Sequence, residues 1–179
     1  MIPVSLVPLI ILTLPSFDFS VSMKKKIGVI GIGNPLRKDD GIGIVLLEQL
    51  RKQKKTLPCA IECIDGGTGG MNLLHVLARY DIVLIIDAVD FHGSPGESRL
   101  VSLEEIRGEH RTKSLSTHES DFLNVVRLSE ELQEQPRNVY IFAVQPKDVS
   151  FGTTFSEEIK QAVDTLTQTL KNTIQDLIK

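Results

Sequence analysis

The sequence predicts an α/β sandwich, in which helices cover both faces of a mostly parallel sheet. Three observations predict it. Short apolar runs at Lys26–Ile32, Cys59–Ile64, Ile82–Ile86 and Val139–Val144 lack the alternation of a half-exposed strand and suit strands buried on both faces. Between them lie segments whose apolar residues recur at helical spacing. Acidic residues stand where the first three runs give way to loops, at Asp39/Asp40, Asp65 and Asp87. In such sheets the functional site lies beyond the carboxyl ends of the strands.

The elements follow in order. Lys26–Ile32 is the first strand, and Gly31 and Gly33 turn the chain. Asp39 or Asp40 opens a helix whose apolar side is Ile42, Ile44, Val45, Leu46, Leu47 and Leu50, with Lys52, Lys54 and Lys55 favourably placed at its carboxyl end. Cys59–Ile64 is the second strand, ending at Asp65 and the glycine turn Gly66–Gly70. Met71–Leu77 forms a short helix. Ile82–Ile86 is the third strand, and Asp87 ends it. Arg99–Leu103 alternates in part, as a shorter, antiparallel edge strand would. Glu104–Thr117 is polar and irregular. A helix starts at His118 or Ser120, buries Phe122, Leu123, Val125, Val126 and Leu128, and is broken at Pro136–Asn138. Val139–Val144 is the last strand, and Gln145–Asp148 a loop. From about Ser156 a helix carries the stripe Ile159, Ala162, Val163, Leu166, Leu170, Ile174 and Leu177, which is core packing.

A chain of 179 residues suits one domain of the usual size of about 100–200. The net charge of −3 is spread without a basic stripe, and Trp is absent, so nucleic-acid binding is not expected. Cys59 and Cys63 are read as buried thiols in a reducing compartment, since a zinc site needs further ligands that the neighbourhood lacks. Residues 1–22 differ from the rest. The apolar run Ile2–Leu14 is interrupted by Pro3 and Pro8 and is too short for a bilayer, which takes about 20 apolar residues. A secretory signal would carry Lys or Arg ahead of the run, and none is there. We read 1–22 as an upstream start outside the fold, and 23–179 as one cytoplasmic domain that begins at Met23 and has no membrane segment.

The glycine turn at first suggests a dinucleotide fingerprint. Gly31-x-Gly33 is followed by Pro35 and Leu36, so the third glycine is missing, and Asp39 and Asp40 would repel a pyrophosphate at the helix start. One of the two acids can cap the helix, a role worth about 0.5–2 kcal/mol. The other is less easily explained. Asp65 is either a turn residue bonding the glycine loop or a functional acid. Asp87, directly after five apolar residues, is expected to be partly buried and in need of a partner such as a metal ion. Together with the loop histidine His118, two such carboxylates make an N/O site suited to nickel or zinc, with open positions for water or substrate. His75 and His92 are weaker candidates. No nucleophile elbow, H-E-x-x-H helix or exposed helix-start cysteine is present.

The motifs Gly31-Ile-Gly-Asn-Pro-Leu-Arg-Lys-Asp-Asp-Gly-Ile-Gly43, Asp65-Gly-Gly-Thr-Gly, Ile86-Asp-Ala-Val and Ser116-Thr-His-Glu, in this order, resemble those of the hydrogenase maturation endopeptidases. Val144-Gln-Pro-Lys-Asp-Val-Ser-Phe is similar to the branch serving the hydrogen-evolving, formate-linked hydrogenase. The resemblance covers roughly Lys25 to the C-terminus. It implies a five-stranded, mostly parallel sheet flanked by helices. It also implies an endopeptidase that removes a C-terminal extension from the nickel-loaded precursor of the nickel–iron hydrogenase large subunit. Metal contacts then fall to Asp40, Asp87 and His118, leaving Asp39 as the cap and Asp65 as a general base or loop organiser. The first contact is Glu in some relatives, and Asp40 is one methylene shorter. Nickel is expected to come with the substrate, with no organic cofactor and a monomeric enzyme. The alternative reading is a non-enzymatic metal- or nucleotide-binding α/β module.

Overall fold

The computed structural model describes residues 25–53, 61–105 and 117–178, with side chains from 122 onward in the last stretch. The extension 1–22, Cys59 and most of the irregular stretch after Glu104 lie outside the described residues.

Five strands form one sheet: β1 (Ile27–Gly31), β2 (Ile61–Asp65), β3 (Ile82–Ala88), β4 (Ser98–Ser102) and β5 (Asn138–Val144), in the order β2-β1-β3-β5-β4. All neighbours are parallel except β4, which runs antiparallel to β5 at the edge, as its partial alternation predicts. The helices are α1 (Ile42–Lys52), the short α2 (Leu74–Leu77), α3 (Thr117–Glu131) and α4 (Glu157–Ile178). Among the described residues, no helix is long and apolar enough to cross a membrane.

The period of two along each strand divides the core. Ile82, Leu84 and Ile86 pack with Leu46, Leu47 and Leu50 of α1 and Ile159, Leu166, Leu170 and Ile174 of α4. Val83 and Ile85 point to the other face, against Leu74 and Leu77 of α2 and Phe122, Val125 and Val126 of α3. The sandwich and its two helical layers therefore match the expectation. Cys63 is half-buried against the α1/α4 layer.

Two local expectations are corrected. Asp39 and Asp40 do not open α1. They lie in a 3-10 turn, Lys38–Gly41, and α1 begins at Ile42 behind Gly41, with no side-chain cap. Asp87 does not end its strand, because backbone pairing with β5 continues through Asp87↔Ala143 and Ala88↔Val144 whatever the side-chain polarity. The helix expected to start at His118 or Ser120 starts at Thr117, so the backbone of the loop histidine belongs to its first turn.

Candidate active site at the carboxyl edge of the sheet

The glycines expected to turn the chain have a steric task. Beyond β1, Gly33 has φ 146°, and a Cβ there would lie 2.0 Å from the Asp40 carbonyl oxygen. A Cβ on Gly43 would lie 2.1 Å from the carbonyl oxygen of Ile32 and 2.3 Å from that of Ile86. Only glycine lets the 33–43 turn and the first turn of α1 settle onto the ends of β1 and β3. The Ile32 N–H donates to the same Ile86 carbonyl at 2.9 Å. The segment bearing Asp40 is thereby pressed against the residue preceding Asp87.

Both acids are buried there, Asp40 at 9% and Asp87 at 5% exposure. Asp40 Oδ2 accepts the Asn34 N–H at 3.0 Å, and the Asp40 N–H donates to the Arg37 carbonyl at 3.0 Å, so the turn closes on its own carboxylate. Asp87 Oδ1 accepts the Ala88 N–H at 2.8 Å. Strand alternation puts position 87 on the face of Val83 and Ile85, the face that α3 covers. The carboxyl end of α3 leads into the start of β5, so the Thr117 end of the helix points toward the carboxyl edge of the parallel strands. Position 118 thus approaches this edge through its backbone, and its side chain lies outside the described residues. Among the described residues, no three acidic, histidine or cysteine side chains are grouped to hold a metal ion. Two buried carboxylates are what they contribute. Carboxylate oxygens are hard donors that could hold a divalent cation.

Asp65 pairs in register with Gly31 at the end of β2 and is exposed. Its Oδ1 accepts the Gly67 N–H at 2.8 Å, the turn bond anticipated for it. His75 is exposed on α2. His92 is largely exposed, and its Nδ1 sits 3.4 Å from Asp90. Neither histidine joins the two buried acids.

Two residues at this edge have roles other than those the sequence suggested. Asp39 is fully buried, at 0% exposure. It caps neither its own turn nor α1. Instead its Oδ2 accepts the N–H groups of Lys147 (3.0 Å) and Asp148 (2.9 Å) and the Ser156 hydroxyl (2.8 Å), while Oδ1 accepts the Ser156 N–H (2.8 Å). The other is Gln145, whose Oε1 accepts the N–H groups of Phe91 (2.9 Å) and Gly93 (3.1 Å) and whose Nε2 donates to Asp90 Oδ1 (3.1 Å). It pins the loop that follows Asp87. The His92 N–H, together with that Gln145 amide, holds the Asp90 carboxyl below its usual range. The single signal for Gln145 was its place in the Val144-Gln-Pro motif.

Comparison with known proteins shows the family. Residues 44–173 match the family model described as hydrogenase maturation protease. The chain belongs to the hydrogenase maturation protease family. The matched span takes in positions 65, 87 and 118 and begins after Asp40. The hydrogenase 2 maturation protease of Escherichia coli is 33% identical over 125 residues, covering 69% of this chain and 75% of that protein. The hydrogenase expression/formation protein HupD of Thiocapsa roseopersicina is 30% identical over 136 residues, covering 75% of this chain and 61% of that protein. The chain thus spans less than two thirds of the length of that curated relative. The solved structure of the E. coli hydrogenase maturating endopeptidase HybD superposes with a TM-score of 0.73 at 25% identity, covering 84% of this chain and 93% of that one.

Proposed function

We propose that this chain is an endopeptidase that removes the C-terminal extension from a nickel-loaded hydrogenase large-subunit precursor, in the branch serving the formate-linked enzyme. One observation carries the reading: Asp40 and Asp87 are both buried at the carboxyl edge, on segments locked together at the Ile86 carbonyl. Family membership supplies the reaction class.

In this reading the nickel is part of the substrate, held by the precursor's own cysteines. Asp40, Asp87 and the His118 imidazole recognise it from the enzyme side. Two carboxylates buried at fixed backbone positions are pre-organised for a cation. Recognition of the loaded precursor then sets the scissile bond beside the edge. Asp65 stands at the same edge with one oxygen on the Gly67 N–H and its carboxylate exposed, so it can organise the loop and take a proton from attacking water. The domain works as a cytoplasmic monomer without an organic cofactor, and the acids make it an aspartic-type hydrolase.

The test is incubation with nickel-loaded and nickel-free precursor, followed by mass spectrometry of the C-terminal fragment. Loaded precursor is shortened by wild type. Asp87→Asn and His118→Ala lower the rate by at least about a hundredfold, the scale of losing an electrostatic group from a reaction centre. Equal cleavage of nickel-free precursor would remove the recognition role. Unchanged precursor length would leave only a binding module.

A further inference from the structure

The loop after β1 and the loop after β5 are zipped together beside Asp40. Arg37 and Gly152 pair as a parallel bridge, with Gly152 N–H to Leu36 carbonyl and Lys38 N–H to Gly152 carbonyl both at 2.9 Å. Arg37 Nε donates to the Val149 carbonyl at 3.1 Å, and its guanidinium lies 5.7 Å from the Phe151 ring centroid. This rigid double loop displays Leu36 at 62%, Val149 at 36% and Phe151 at 85% exposure. Among the described residues the other large exposed apolar side chains, Met71, Leu100 and Leu132, lie apart from one another in the sequence. Three apolar side chains on one bonded ridge are not the scattered pattern of an ordinary surface.

Two features say what covers the ridge. Among the described residues Arg37 forms no salt bridge, so the ridge offers a cation next to apolar groups. It is also continuous with the candidate site, because the Arg37 carbonyl accepts the Asp40 N–H and the Asn34 N–H donates to the Asp40 carboxylate. We propose that Leu36, Arg37, Val149 and Phe151 form the docking surface for the precursor protein, through an apolar segment of it that carries a carboxylate. The proposal rests on the peptidase reading above and adds a second point of attachment away from the scissile bond. Rigid aromatic and Arg anchors dominate binding when a partner desolvates them, because little side-chain freedom is lost.

The experiment uses full-length precursor, with Phe151→Ser and Arg37→Glu made singly. Cleavage kinetics, calorimetric binding to the precursor and thermal melting are read for each. The expected result is a KM and a Kd raised about tenfold or more with kcat within about twofold, the pattern of lost uniform binding, with melting unchanged in Phe151→Ser and slightly lowered in Arg37→Glu, which loses the bond to the Val149 carbonyl. Wild-type cleavage with unchanged KM and Kd in both variants would overturn the docking surface and leave the peptidase reading intact. Wild type that binds precursor without cutting it, with binding lost in Phe151→Ser, would overturn the peptidase reading and keep the surface. Sedimentation showing a wild-type dimer that Phe151→Ser dissolves would assign the ridge to self-association and overturn the proposal.

Discussion

The buried carboxylate of Asp39 holds Ser156, 117 residues further along, by both its N–H at Oδ1 and its hydroxyl at Oδ2, each at 2.8 Å. Ser156 in turn stands at the start of α4, where its Oγ accepts the Ile159 N–H at 3.4 Å. With the Lys147 and Asp148 N–H groups on the same Oδ2, Asp39 ties the 38–41 turn to the loop after β5 and to the start of α4. Each hydrogen bond to a charged group contributes about 1.5–3 kcal/mol, and several donors would be stranded together. Asp39→Ala is therefore expected to destabilise by about 3 kcal/mol or more, measured by urea unfolding, and to lower precursor cleavage because Asp40 is its neighbour. Asp39→Asn keeps one acceptor but turns an amide donor toward donors, and should cost about 2 kcal/mol. A loss below about 0.5 kcal/mol in the alanine variant would contradict the clasp.

Gly43→Ala tests the seating of α1. The new methyl would stand 2.1 Å and 2.3 Å from two strand carbonyls, and no flexible side chain is there to yield. Overpacking of this kind costs about 1–3 kcal/mol and occasionally more, against a helix-propensity gain of about 1 kcal/mol. The variant should unfold at lower urea concentration, and α1 should lift from the end of β3. A crystal structure of the variant with α1 undisplaced would refute the steric account.

The layers were legible because their signals are local. Apolar runs gave the strands, and helical spacing placed Leu46, Leu47, Leu50, Leu166 and Leu170 in the core. Burial of Asp87 was legible from the apolar run before it. What stayed hidden depends on distant partners. The donors to Asp39 lie 108 or more residues away, so in the sequence it looked like a cap for the nearest helix. Strand pairing through Asp87 was hidden for the same reason, since β5 supplies the register. The 3-10 turn before α1 follows from Lys38, held at φ 44° by its bond to Gly152, which no local pattern announces.

Gln145 is expected to matter more than an average surface amide. It is buried, and its side chain accepts from Phe91 and Gly93 and donates to Asp90 and the Pro146 carbonyl. Gln145→Ala leaves two loop N–H groups to find water, at about 1–3 kcal/mol in total. Amide hydrogen exchange at Phe91 and Gly93 should accelerate at least about tenfold, the factor that corresponds to 1.4 kcal/mol. Unchanged exchange at both would show that the loop after Asp87 is held by other means.

The Lys38–Asp148 pair gives a pH signature. The Lys38 ammonium, then the Ser150 side chain and N–H, hold the Asp148 carboxyl well below the usual carboxylate range. A carboxylate whose folded pKa is depressed adds stability that is fully present above its unfolded pKa. That stability is lost as pH falls through the lower folded pKa. The pair is solvent-accessible, so its contribution is small and screened by salt. Carboxyl-carbon NMR should show Asp148 still ionised when exposed carboxylates have titrated. Lys38→Met should raise its midpoint toward the ordinary range, because the leading cause is removed. The stability gap between wild type and Asp148→Asn should be constant at neutral pH and close only in the acid limb below the usual carboxylate pKa. A gap that instead closed between pH 6 and 8 would implicate a different group and refute this assignment.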